Sequence, residues 1–282
     1  MGNLKAIKNR IEGVKSTKQI TNAMKMVAAS KLRKSQEAIE SARPYANLVG
    51  GMLSCIKKKN AQSVHPFFLA KDSHKSALLV VTSDRGLCGS FNSEILKKVK
   101  AYLDDNADVD VICVGKNGTI ALKKVCEVYS QFTGLFNSMD FSVAKDIAET
   151  VLDLYLNKGY ERIDVIYNKF VSVIQQDIIF KKLFPIEPSV EEDFSATDFL
   201  YEPDEDAIVE ELGKKYISVE IWRIILESSA AEQAARMTAM DNATENASEI
   251  IRSLSLQYNR ERQSAITGEI IDIVGGAEAI NE

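Results

Sequence analysis

Two loops carry the residue types that phosphate chemistry would need. Asp84-Arg85-Gly86-Leu87-Cys88-Gly89 falls between an apolar run and an amphipathic one, where a nucleotide-binding loop would sit. It offers only Gly86 and Gly89, whereas a dinucleotide fingerprint takes three glycines, for the tight turn, the close backbone approach and the helix packing. Gly115-Lys116-Asn117-Gly118-Thr119 has the residues of a phosphate loop in the wrong order and spacing. Without that glycine geometry the backbone amides do not converge on a phosphate. Hydrolytic chemistry has less support: His65 and His74 are the only histidines, and neither lies in a nucleophile or metal motif. The four cysteines, Cys55, Cys88, Cys113 and Cys126, have no CxxC spacing, which argues against a structural metal, and a chain of 282 residues does not need a disulfide framework. No catalytic residue, metal ligand or cofactor-binding residue is expected.

The positioning elements are easier to read. Lys214 to Thr267 contains no Gly or Pro, and Gly213 and Gly268 bracket it. An unbroken helix of that length would be roughly 80 Å long. Within it Met237, Met240, Thr244, Ala247, Ile251, Leu254 and Tyr258 recur at alternating spacings of three and four, the seam of a coiled coil that wants a partner helix. Trp222 and the methionines Met24, Met26, Met237 and Met240 read as packing residues, not as a cofactor box.

The partner lies at the other end of the chain. From Asn3 to about Lys59 the apolar stripe runs through Leu4, Ile7, Ile11 and Val14, then is expected to shift to Ile20, Ala23, Met24, Val27 and Ala28. Pro44 should kink or end this helix, because it removes one backbone bond and clashes with the preceding turn, and Gly50-Gly51 adds a second weak point. Residues 1–60 hold thirteen Lys/Arg against Glu12, Glu37 and Glu40, a net +10, and residues 214–282 hold seven bases against eleven acids, a net −4. The two ends are thus complementary in charge as well as in pattern. The basic helix could also track phosphates. It lacks interleaved aromatics before Tyr45 and carries an apolar stripe, which favours a protein-facing helix over nucleic-acid binding.

Between the helices the texture alternates. His65-Pro66 reads as a connection, with Phe67, Phe68 and Leu69 anchoring it to an apolar surface. Strands are predicted at Ala77–Thr82, Val109–Val114, Arg162–Tyr167 and Ile178–Leu183, and helices at Asn92–Leu103, Ile120–Val125 and Ser142–Asn157, the last stopped by Lys158-Gly159. This alternation predicts a mostly parallel sheet. The fold class is therefore α/β plus coiled coil: long N- and C-terminal helices form an antiparallel two-helix coiled coil, with a central Rossmann-like α/β domain inserted. The segments are an N-terminal helix over 1–60, a connection over 61–76, a globular domain over 77–185, an acidic linker over 186–206, and a C-terminal helix over 207–282. From Glu187 to Glu211 there are eleven acids and no base, which no functional reading explains beyond a solvated connection.

No apolar run reaches the eighteen or so residues of a membrane span. The charged N-terminus does not read as a signal peptide, and Met1-Gly2 fails as a myristoylation signal because Ala6 stands where Ser or Thr is needed. Any membrane contact is expected through partners.

Three stretches carry a family resemblance. Ile7–Gln36 (IKNRIEGVKSTKQITNAMKMVAASKLRKSQ), Ser83–Asn92 (SDRGLCGSFN), and Ser228–Ile251 with Leu256–Ile280 resemble, in order and distance, the gamma subunit of F-type ATP synthases. The resemblance implies the central-stalk rotor, which couples transmembrane ion flow through rotation to ATP synthesis or hydrolysis on the beta subunits and is not itself catalytic. It implies as partners the alpha and beta subunits of the catalytic hexamer, the epsilon subunit and the c-ring, with no nucleic acid and no cofactor. It implies a place at the cell membrane, peripheral on the cytoplasmic side. A family motif starting at Asn3 favours a bacterial protein. Carried over position by position, Met24 and Lys25 match a coupling site on the N-terminal helix. Arg236, Gln263 and Thr267 match polar positions that hydrogen-bond the catalytic subunits. Arg85 and Cys88 match a loop facing epsilon and acidic loops of the beta subunits. The small residues Gly275, Gly276, Ala277 and Ala279 fit a smooth tip turning in an apolar sleeve.

Overall fold

The computed structural model describes residues 2–59, 65–69, 71, 73–106, 108–135, 140–187 and 205–281. Most of the acidic linker lies outside the described residues, as does the side-chain packing of the expected small-residue tip, 275–281. In order, the elements are helix α1 (Gly2–Lys59), strand β1 (Ser76–Val81), α2 (Phe91–Asp105), β2 (Val109–Val114), α3 (Lys116–Leu122), β3 (Val128–Phe132), α4 (Phe141–Leu156), β4 (Arg162–Phe170), β5 (Gln176–Phe184) and α5 (Glu205–Asn281). The chain divides into two compact units, one formed by Met1–Val27 with Met237–Glu282 and the other by Ala28–Arg236. Both long helices contribute to both units.

The larger unit holds a five-stranded sheet in the order β3-β2-β1-β4-β5. β1 pairs in parallel with β2 and with β4, and β2 in parallel with β3. Only β5 is antiparallel, set against β4. β1 is central, and from Ala77 to Val81 every residue is buried, because both faces of the sheet are covered. On one face Leu78 and Val80 pack with Ile95 and Val99 of α2 and with Val111 and Cys113 of β2. On the other, Ala77, Leu79 and Val81 meet α4 through Ile147 and Val151, α1 through Val49 and Leu53, and α5 through Ile217, Ile221 and Ile224. The long helices thus close one layer of the sheet's core.

Phe67 is fully buried in that layer, in a short 3-10 turn over Pro66–Phe68, as the connection's anchor requires. α4 ends as expected: Lys158 N–H reaches back to the Asp153 carbonyl, Tyr160 N–H to that of Leu154, and Gly159 takes φ +75°. β3 had no signal in the sequence. It is an edge strand with no fully buried residue, so it never forms an apolar run.

Residues that usually break helices lie inside both long helices. α1 passes through Pro44 without ending; the proline is at an exposed position, where water can take the place of the missing backbone donor. Gly50 and Gly51 are buried inside the same helix. Gly213 and Gly268 lie within α5. At Gly213 the reason is packing: a Cβ there would sit 2.3 Å from the Phe67 ring.

In the smaller unit α1 and α5 pair antiparallel. Thr21 and Thr244 hydroxyls meet at 2.8 Å, and Lys25 Nζ donates to Asp241 Oδ1 at 2.6 Å. Met240, Ala247 and Leu254 are buried on α5, and Met237, Thr244, Ile251 and Tyr258 half-buried, as the seam predicts. The α1 stripe differs from expectation. Its buried and half-buried line continues Ile7, Ile11, Val14, Lys18, Thr21, Met24 without a shift. Ile20 and Val27, expected inside, are 58% and 57% exposed. Heptad geometry explains this, since spacings of four and three keep one face turned to the partner even where Lys18 and Thr21 occupy it.

Candidate functional site

The Asp84–Gly89 loop leaves the C-terminal end of β1, where ligands of parallel α/β sheets gather. Its interior is filled by the chain itself. Asp84 Oδ1 accepts the backbone N–H of Lys116 and of Gly134, each at 3.0 Å. Two amides that a phosphate would draw on are therefore taken by a carboxylate. Gly115 (φ +95°) and Gly118 are glycines for another reason: a Cβ at either would lie under 3 Å from Thr82. Thr82 Oγ1 accepts the N–H of Gly118 at 2.9 Å and donates to the Val114 carbonyl. The second loop's glycines thus serve close packing of α3 on β1.

Below the loop lies a polar lattice. Ser83 Oγ donates to the Arg85 carbonyl at 2.7 Å. Asn92, the second residue of α2, accepts from Ser83 N–H at 3.1 Å and donates to Cys88 Sγ at 3.3 Å. Cys88 is 2% exposed and packs with Phe91 against Ala231 of α5. Burial pushes its thiol up from the ordinary range, with Arg236 pulling the other way. A buried, protonated thiol is a packing group, so Cys88 supports the loop from beneath and does not itself face a partner. Arg85 and Leu87 are the outward residues. Leu87 is 63% exposed at φ +62°, a conformation uncommon for a side chain with a Cβ.

Arg236 holds this loop from α5. Its Nη2 donates to the carbonyls of Arg85 (3.2 Å) and Gly86 (3.1 Å), and Nε to Gly86 at 3.4 Å. Nη1 pairs with Glu232 Oε1 at 2.7 Å, one helical turn back. Arg236 is 7% exposed. The resemblance placed it as a direct partner contact; in this chain its guanidinium is engaged by the two loop carbonyls and by Glu232.

The remaining expected residues separate. Met24 is half-buried in the seam. Lys25, matched to the coupling site by the resemblance, pairs with Asp241. Gln263 and Thr267 are exposed on α5, one turn apart and so on one face. The loop residues Arg85 and Cys88 come together with Arg236, while Met24 and Lys25 belong with Asp241 in the other unit. Glu232 and Leu87 were not foreseen. Glu232 had a signal, an acid four residues before Arg236. Leu87 had none, since its backbone angle is set by the folded loop. Also unforeseen are two groups of exposed apolar residues in the smaller unit: Ile20, Met26 and Val27 on α1, and Ile266, Ile270 and Ile273 further along α5.

Such a protein is of the helix-pair class, with antiparallel terminal helices and an inserted Rossmann-like sheet. A family model described as ATP synthase matches residues 3–280. The ATP synthase gamma chain of Prosthecochloris aestuarii is 45% identical, over 99% of each chain. That of Chloroherpeton thalassium is 43% identical over 100% of this chain and 99% of its own. Among solved structures, the central stalk and c-ring of Tetrahymena thermophila mitochondrial ATP synthase contains a chain 28% identical at a TM-score of 0.64, covering 79% of this chain and 99% of that one. A chain of the Euglena gracilis mitochondrial enzyme shares the fold at a TM-score of 0.71, over 99% of this chain and 95% of its own, with 20% identity. The chain belongs to the ATP synthase gamma-chain family.

Proposed function

We propose that this chain is the central-stalk rotor of an F-type ATP synthase, a non-catalytic subunit that carries torque between a membrane ion-driven ring and the catalytic hexamer. The observation that supports it best is the apolar surface that the helix pair leaves exposed: Ile20, Met26 and Val27 on the outer face of α1, and Ile266, Ile270 and Ile273 on the stretch of α5 that the antiparallel register carries past the start of α1. An apolar surface left over after the seam is filled calls for an enclosing partner. An apolar band gives a bearing that need not interlock, because hydrophobic contact is non-directional and a rotating surface must exchange neighbours without breaking specific bonds.

Each ion transferred yields about 2.3 kcal/mol per charge per 100 mV, so several steps have to be gathered before one ATP is released. An asymmetric shaft does this by meeting the three beta subunits with different residues, and it biases their affinities only through those differences. On this reading Met24 and Lys25, Gln263 and Thr267 are contacts on the shaft, and Arg85 is a contact on the inserted domain, positioned by Arg236 and supported by Cys88. The partners are the alpha and beta subunits, the epsilon subunit and the c-ring. No helix among the described residues is long and apolar enough to cross a membrane, so membrane attachment, peripheral on the cytoplasmic face of the cell membrane, runs through those partners. The test is reconstitution: the purified chain alone should hydrolyse no ATP, and with alpha and beta subunits it should assemble and rotate under ATP. Failure to co-assemble overturns the proposal.

A further inference from the structure

Glu232 is 3% exposed, yet only one of its oxygens is used. Oε1 pairs with Arg236, while Oε2 has no hydrogen-bond partner among the described residues. An ionised carboxylate in such a place carries a large desolvation penalty, and burial pushes the Glu232 carboxyl up, with Asp84 acting in the same sense and Arg236 and Lys31 against it. A group that costs the fold and sits one step behind a partner-facing loop needs a reason other than stability. Arg236 supplies one. Its guanidinium reaches the Arg85 and Gly86 carbonyls only if it stays in a nearly dry site. A lone cation there would be drawn back towards water, which the Glu232 charge prevents.

We propose that Glu232 is a positioning residue for coupling: it holds Arg236 on the carbonyls of Arg85 and Gly86, and so fixes the loop that presents Arg85 and Leu87 to an acidic, partly apolar partner surface. The carbonyl anchors at Arg85 and Gly86 immediately precede Leu87, whose positive φ needs support from outside the loop. The inference rests on the rotor reading only for the identity of that partner; the clamp itself is a property of the single chain.

Cys88 is the reporter, because it is sealed under the loop, whereas Cys113 is sealed in the sheet. In the full-length chain, alkylation by N-ethylmaleimide, followed by peptide mass mapping, should run about tenfold faster at Cys88 in Glu232→Gln, the size expected when one member of a polar network is lost. Cys113 should not change, since it is sealed in the sheet away from the loop. Arg236→Gln should accelerate Cys88 similarly, and the double variant should be no faster than the faster single one. An unchanged Cys88 rate, or Cys88 and Cys113 rising together, overturns the clamp. Reassembled with the other subunits, Glu232→Gln should lose coupled ATP synthesis while retaining most hydrolysis. A faster Cys88 with unimpaired synthesis overturns the coupling role. Failure of the unmutated chain to assemble strikes the rotor reading instead, leaving the alkylation result to stand.

Discussion

The residues that looked most chemical in the sequence are structural, and the reverse also holds. Asp84, Gly115 and Gly118 have the makings of a phosphate site, but Asp84 is bonded to two backbone amides and both glycines make room for Thr82. Arg236 and Glu232, which sit in the middle of a helix, form the device that shapes an exposed loop. Cys113 gives a pH prediction. Burial pushes its thiol up from 9.0 to about 12, with Cys126 adding to it. Between those values the unfolded chain ionises this thiol and the folded chain does not, so stability falls as pH rises through that window and is intact below it. Melting scans from pH 8 to 11 should show an alkaline decline that is shallower in Cys113→Ala than in the parent. Parallel curves would refute the assignment. Lys25 predicts little: its pair with Asp241 is about one-third exposed on the lysine side, so Lys25→Gln should shift stability by less than about 1 kcal/mol. A larger effect on coupled activity than on melting would then mark Lys25 as a partner contact.

At the scale of elements, the two long helices are specified by different physics in their two parts. In the smaller unit they meet through a heptad seam. In the larger one small residues bring them close: Leu32 of α1 packs on Ala230 and Ala234, and Ser35 meets the Ser229 hydroxyl at 3.2 Å. Glycines inside α5 separate two roles. Gly213→Ala would push a methyl group into Phe67, and despite better helix propensity it should cost about 1–2 kcal/mol. Gly268 has nothing within 4 Å, so Gly268→Ala should stabilise by up to about 1 kcal/mol. Chemical denaturation of the pair checks the contrast; equal signs would mean that Phe67 is not the constraint. β1, β2, β4 and β5 were read from apolar runs, the edge strand β5 through Ile178, Ile179 and Phe180, and β3 was missed. β3 has no fully buried residue and carries Ser130 and Gln131 in its five positions, so it leaves no apolar run in the sequence.

At the scale of the whole molecule the argument concerns what remains unsatisfied. Chain-end charges of +10 and −4 are complementary, and part of that attraction is seen as Lys25 with Asp241. The exposed apolar residues of the smaller unit are what a sleeve would cover. In a reconstituted complex, Gln263→Leu or Thr267→Val should weaken assembly or coupled activity more than removal of Glu282 does. Equal effects would count against the assigned contacts. If the basic helix instead served nucleic acid, affinity for RNA or DNA would fall steeply with salt; a flat titration at low salt is the expected result.

The family, the α/β insert and the α5 seam were determined by the sequence alone, because each rests on local periodicity or on long contiguous motifs. A helix records its partner-facing side every three or four residues, and a buried strand records both of its neighbours. Only the tertiary structure decided which residues act on the surface. Arg236 turned inward, Cys88 went under its loop, and Ile20 and Val27 turned out of the seam. For Arg236 and its loop the outcome depends on carbonyls brought from 150 residues away, and no local pattern encodes what such a distant partner will satisfy. The same applies to Pro44 and Gly213: a helix breaker acts as one only if its surroundings leave the broken bond dry or the space empty.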